Sequence, residues 1–121
     1  MIFSGIDLVE IERIEKSLKN PRFLEKYFGE AERAELEKKN FKPESVAACF
    51  AAKEAFSKVV KTGISGFSLC EVQLLHEESG APYLCLSGKA KELAREMELS
   101  VSVTHTTALA QAIVIGYKNE N

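Results

Sequence analysis

The chain has 121 residues, 45% of them hydrophobic and 28% charged, with a formal net charge of −2. That length suffices for one domain with a core of its own and is too short for two. The small acidic balance excludes a general nucleic-acid binder, which needs a basic excess, but leaves room for a local basic patch facing an acidic partner. Cys49, Cys70 and Cys85 are odd in number and lack C-x-x-C spacing. They read as reduced thiols of a cytoplasmic protein, with no zinc site. No basic segment followed by an apolar core opens the chain, so no secretory signal is expected. No apolar run approaches membrane-spanning length.

Residues 2–6 read as a short opening strand. Asp7 then fits a helix N-cap, with Glu10 three positions on as in a capping box. Leu8, Ile11, Ile14 and Leu18 recur at helical spacing. Ile6, Leu8 and Val9 also favour β structure, so the strand could equally persist to Ile11. Asn20 and Pro21 suit a second helix start, with Phe23, Leu24, Tyr27 and Phe28 as its packing stripe. Gly29 interrupts this pattern, and residues 30–39 read as a charged helix on the surface.

Residues 44–61 form the longest helical pattern, the one around which the others are organised. Pro43 suits its entrance, and Gly63 lies just past its end. Cys49, Ala52, Phe56, Val59 and Val60 make one apolar stripe for burial. Glu54, Ser57, Lys58 and Lys61 share a different, polar face. Beyond Gly63, residues 67–76 contain a strand and residues 82–86 its hairpin partner. Residues 88–97 are a short amphipathic helix. Residues 99–105 alternate, with Val101, Val103 and His105 on one side. Residues 108–117 form a final strand, antiparallel to the one before, and residues 119–121 read as a frayed tail. The expected fold is α+β: a small antiparallel sheet packed on a long central helix, in a single domain over residues 1–121.

Three polar residues are candidates for chemistry: Asp7, Glu54 and His105. Each also has a plain structural explanation, as a helix cap, a solvated charge and a hydrogen-bonded turn histidine. Two carboxylates near lysines suit Mg2+, which prefers oxygen ligands and keeps waters and phosphates as the rest of its shell. Lys53 and Lys58 could then meet phosphate oxygens as point charges. No P-loop or G-x-G-x-x-G is present, which excludes ordinary nucleotide-fold phosphate binding. No nucleophilic triad is legible from spacing.

Four segments occur together: G-I-D-L-V-E-I-E-R-I at 5–14, F-A-A-K-E-A-F-S-K at 50–58, G-A-P-Y-L at 80–84 and S-V-T-H-T at 102–106. Over nearly the whole chain this set resembles the small holo-acyl-carrier-protein synthases, a group of 4′-phosphopantetheinyl transferases. The resemblance implies transfer of phosphopantetheine from coenzyme A to a serine of an apo acyl carrier protein, with release of 3′,5′-ADP. It implies that Asp7 and Glu54 bind Mg2+ and that Lys58 neutralises the pyrophosphate. Ser57, Lys53 and Gly63 fall to the same coenzyme A site, and His105 and Thr106 to the coenzyme A pocket. Glu54, directly or through a water carried by the metal, would take the serine proton. Members of the group form trimers with sites between protomers, and the carrier protein is expected to dock near Arg13.

Two positions depart from the group's pattern. Cys49 stands where Arg is common, and Lys61-Thr62-Gly63 replaces a frequent G-T-G. Two other function classes fit the residues taken alone: a non-catalytic module binding an acidic ligand on the lysine face, and an assembly domain in which Asp7 only caps a helix. Mg2+-dependent turnover of coenzyme A separates both from the enzyme.

Overall fold

The computed structural model describes residues 1–119, apart from the side chain of Ile64. The chain runs β1 (Ile2–Glu10), α1 (Ile11–Ser17), α2 (Arg22–Tyr27), α3 (Glu30–Lys38) and α4 (Pro43–Val59). Two 3-10 turns, Gly63–Gly66 and Leu69–Glu71, lead to β2 (Val72–His76), β3 (Pro82–Leu86), α5 (Gly88–Leu93), β4 (Met97–His105) and β5 (Leu109–Lys118). The strands make a three-stranded antiparallel sheet of order β1-β5-β4 and a separate β2-β3 hairpin. The architecture is therefore α+β, as the alternation of patterns implies.

The inner face of the larger sheet receives α4. Gly5 and Val9 of β1, Val101 of β4, and Ala110, Ala112, Val114 and Gly116 of β5 are all buried there. Small residues on both sides explain the close approach, since Ala47, Ala51, Ala52 and Ala55 of the helix have no exposure. Phe56 and Val59 fill the seam. A helix enclosed on several sides buries far more than one stripe.

Asp7 is not a helix cap. It lies within β1, whose nine residues pair with β5 from Ile2↔Tyr117 to Glu10↔Leu109, placing Asp7 opposite Ala112. Nine ladder positions outweigh one capping interaction, so Ile6, Leu8 and Val9 follow their β preference. Helix α1 begins only at Ile11, and its N-cap Glu10 makes no side-chain cap bond.

The charged helix α3 is also not a purely surface element, because Glu32 and Leu36 are buried. Helix α4 ends two residues before its pattern does. Lys61 takes a left-handed backbone (φ 60°), as does Gly63 (φ 63°). Lys61 thus leaves the helical face it was expected to share, and its Nζ sits 5.2 Å from the Phe3 ring centre. The 88–97 helix stops at Leu93, and β4 starts at Met97. Glu120 and Asn121, most of the expected frayed tail, lie outside the described residues.

Candidate active site

Asp7 and Glu54 come together because β1 lies directly under α4. Gly5 abuts the Ala55 carbonyl, two residues before Asp7 and one after Glu54. Lys58, one turn along α4, donates from Nζ to the Ile6 carbonyl at 2.6 Å and stands 3.7 Å from Asp7 Oδ1. Arg13 on α1 adds a second positive charge that acts on both carboxylates. The result is two acids and two bases at the edge of the sheet.

Both carboxyls sit above the usual carboxylate range. For Asp7 the main cause is burial, opposed by Lys58. For Glu54 burial comes first and the neighbouring Asp7 charge second, opposed by Arg13 and Lys58. Two carboxylates raised by desolvation, one of them also by its neighbour, form a site short of positive charge. Glu54 and Arg13 also line a cleft of about 390 Å³ between α1, α2 and α4, with Phe23, Tyr27, Phe50 and Leu69 as its apolar surface.

The other expected site residues divide. Ser57 is buried, and its hydroxyl turns back to donate to the Glu54 carbonyl at 2.5 Å. Gly63 is exposed with open space around it, and its positive φ suits a residue without Cβ. Lys53 does not reach the cleft. It has no exposure, and its Nζ donates to Glu32 Oε1, Val72 O and Leu69 O, which uses all three N–H donors. It is therefore unavailable to a phosphate and is corrected from a ligand contact to an internal one.

His105 and Thr106 lie elsewhere in the chain. His105 lines a groove with Glu32, Glu35, Ala48, Cys49 and His76, apart from the cleft that Glu54 and Arg13 line. Its Nδ1 pairs with Thr106 O at 3.2 Å. Thr106 Oγ1 accepts from the backbone N–H of Ala108 and Leu109, shaping the β4–β5 turn. Two strand spacings, about 10 Å, separate β4 from β1 across β5. In this groove burial pushes the Cys49 thiol well above its usual range, with the Glu32 charge adding to the effect. Cys49 is thus a neutral wall residue. Sequence reasoning missed Glu32 altogether, because a Glu among many charges in a polar helix carries no mark of burial.

Residues 4–113 match the family described as the 4′-phosphopantetheinyl transferase superfamily. The chain belongs to that family. It is 44% identical to a holo-[acyl-carrier-protein] synthase of Caldanaerobacter subterraneus, across 99% of this chain and 98% of the relative. Its fold is similar to the crystal structure of Helicobacter pylori holo-[acyl-carrier-protein] synthase in complex with coenzyme A, with a TM-score of 0.82 and 33% identity. That match covers 97% of this chain and 100% of the other. A Bacillus anthracis synthase in complex with CoA (3′,5′-ADP) is equally similar, at TM-score 0.83 and 33% identity, covering 97% and 96%. These transferases thus share the arrangement of α4 on the β1-β5-β4 sheet. Among the described residues no group of three or more His, Cys, Asp or Glu is placed to hold a metal.

Proposed function

We infer that this chain is a holo-acyl-carrier-protein synthase. It moves the phosphopantetheine of coenzyme A onto a serine of an apo acyl carrier protein and releases 3′,5′-ADP. The observation that carries this reading is the meeting of Asp7, Glu54, Lys58 and Arg13 in one charged cluster, of which Glu54 and Arg13 line a cleft. In the reaction the serine oxygen bonds to the phosphorus bearing pantetheine, and the bridging P–O bond breaks. Such transfers need positioning and charge neutralisation more than covalent help from the protein.

Asp7 and Glu54 fit Mg2+, because they supply hard oxygen donors and the remaining shell of that ion is ordinarily water and phosphate. When bound, the ion neutralises pyrophosphate charge. Lys58 is half exposed and, among the described residues, held by Ile6 O and Asp7, so its ammonium can turn toward the leaving phosphate. Glu54 accepts the serine proton, directly or through a water. The outermost rim, with Arg13, receives the acidic carrier protein. Mass measurement of an apo carrier protein incubated with coenzyme A and Mg2+ tests the reading. The expected result is the mass gain of one phosphopantetheine; an unmodified serine would overturn it.

His105 and Glu54 line different clefts within one chain, so a coenzyme A pocket using both, with the adjacent Thr106 and Asp7, is assembled from two protomers. A homotrimer closes such interfaces by symmetry. Its apolar seam is the outer sheet face, where Ile6 is 51%, Leu8 56% and Ile113 38% exposed. Sedimentation should give three times the chain mass, and a fully active monomer would remove this assembly. Among the described residues no helix is long and apolar enough to cross a membrane; the three cysteines are free thiols, which suits work in the cytoplasm.

Docking at Arg13 has its own test. Arg13→Gln removes the positive charge without setting a new negative one beside Glu54. Carrier-protein binding should weaken by about 1–2 kcal/mol, with little change in the KM for coenzyme A. Added salt should weaken parent docking more than the variant's, because it screens exposed charges. Equal carrier-protein KM values across the salt series would place docking on another surface.

A further inference from the structure

Lys53 and Glu32 lie outside the cleft that Glu54 lines, and among the described residues they are the two charged side chains without exposure. The Lys53 Nζ donates to Glu32 Oε1 at 2.5 Å, Val72 O at 2.6 Å and Leu69 O at 3.2 Å, and lies 5.0 Å from the Phe28 ring centre. Glu32 accepts the Leu74 N–H at 2.8 Å through Oε2 and the Gly29 N–H at 3.3 Å through Oε1, while its own N–H donates to Gln73 Oε1 at 2.9 Å. One ion pair thus fastens α3, α4, β2 and the Leu69–Glu71 turn to a common point. Desolvating two charges is costly, and a well-packed apolar pair would hold these elements at least as firmly. What the ions add is direction: each hydrogen bond fixes one element in one register.

That point lies beside the reactive cleft. Lys53 is the residue before Glu54 on α4, and Leu69, whose carbonyl Lys53 holds, lines the cleft together with Glu54 and Arg13. We propose that Lys53 and Glu32 are a positioning pair, which sets the rotation of α4 at Glu54 and the distance from Glu54 to the Leu69 wall. The inference rests on the reading of Glu54 as an acting group of the transferase. Both act through Glu54 and Leu69; Lys53 lines neither cleft, and Glu32, without exposure, stands behind the wall of the groove that His105 lines. Functional groups are held by such supporting bonds, and an ångström of slack at the acting atoms is enough to slow a reaction about a hundredfold.

The test is the double variant Lys53→Met with Glu32→Gln, near in shape and free of charge. Three quantities are read on the folded protein: kcat, the KM for coenzyme A, and the affinity of the metal-free chain for Mn2+ by electron paramagnetic resonance. Positioning predicts a kcat lower by about 10- to 100-fold, Mn2+ binding weaker by about tenfold, and a coenzyme A KM within about twofold of the parent. A folded variant with parental kcat and Mn2+ affinity overturns the proposal, whatever its melting temperature. If the double variant does not fold, Glu32→Asp keeps both charges while shortening the carboxylate by one methylene. The same two falls are then expected at a smaller scale, and parental values again overturn it. If the parent transfers nothing, the transferase reading fails, and Mn2+ affinity alone decides on positioning.

Discussion

Glu54→Gln is expected to fold like the parent and to lose transfer by at least about 10²-fold, since it removes a candidate proton acceptor and a cation ligand at once. Asp7→Asn should lose transfer similarly, because the amide keeps the shape and gives up the charge. Both variants should hold or slightly raise the thermal stability of the metal-free chain. The two carboxyls titrate above their ordinary range, Asp7 through burial and Glu54 through burial and then Asp7. A raised carboxyl pKa means that the folded state prefers the protonated form. The stability this contributes is fully present below the unfolded pKa and is lost as pH rises through the folded one. A neutral isostere carries that contribution at neutral pH, where the parent lacks it. The loss of Lys58 as a partner offsets little, since the pair is half exposed. Activity runs the other way: as pH falls through the raised range, proton and cation compete for the same oxygens, and more Mg2+ should restore rate in the parent only. Thermal scans and initial rates across a Mg2+ series check both halves. Parental rates for either folded variant at every Mg2+ concentration would remove its carboxylate from the site.

What the sequence made legible follows the range of each interaction. Helix α4 and the β4–β5 hairpin were readable because period and turn chemistry are local: Pro43 opens the helix, and three residues join strands whose apolar positions alternate. The boundary at Asp7 was not, because its structure is decided by β5, more than a hundred residues away in sequence. The pairing of Asp7 with Glu54 had no signal in spacing and became visible only through the resemblance of whole motifs. Lys53 shows the opposite failure. Its place in K-E-A-F-S-K suggested a phosphate contact, yet helical geometry turns it about 100° away from Glu54, inward to Glu32. Glu32 itself is indistinguishable by pattern from its exposed neighbours on α3. Long-range polar pairs are the part of a fold that period and propensity do not encode.

Gly5→Ala is expected to be among the most damaging single-methyl changes in the chain. A Cβ at this position would fall deep within the van der Waals surface of the Ala55 carbonyl oxygen and 3.0 Å from Lys58 Cβ. Neither atom can rotate away, since one belongs to the backbone of α4 and the other is rooted on it. The ladder to β5 fixes β1 from the other side, through Gly5↔Val114 and the positions flanking it. Relief therefore requires α4 to lift from the sheet that buries Ala51, Ala52, Ala55 and Phe56. Overpacking of a close-packed core costs about 1–3 kcal/mol and sometimes more; a backbone collision belongs at the upper end. For a chain of this size about 3 kcal/mol lowers Tm by roughly 10 °C. The lift also draws Glu54 and Lys58 away from Asp7, so the folded fraction should show kcat down by about 10- to 100-fold. Ser4→Ala, on the exposed side of the same strand, should stay within about 0.5 kcal/mol of the parent. Melting curves and rates for the two alanine variants decide the matter. If Gly5→Ala melts and turns over like Ser4→Ala, then the contact between β1 and α4 is not what brings the two carboxylates together.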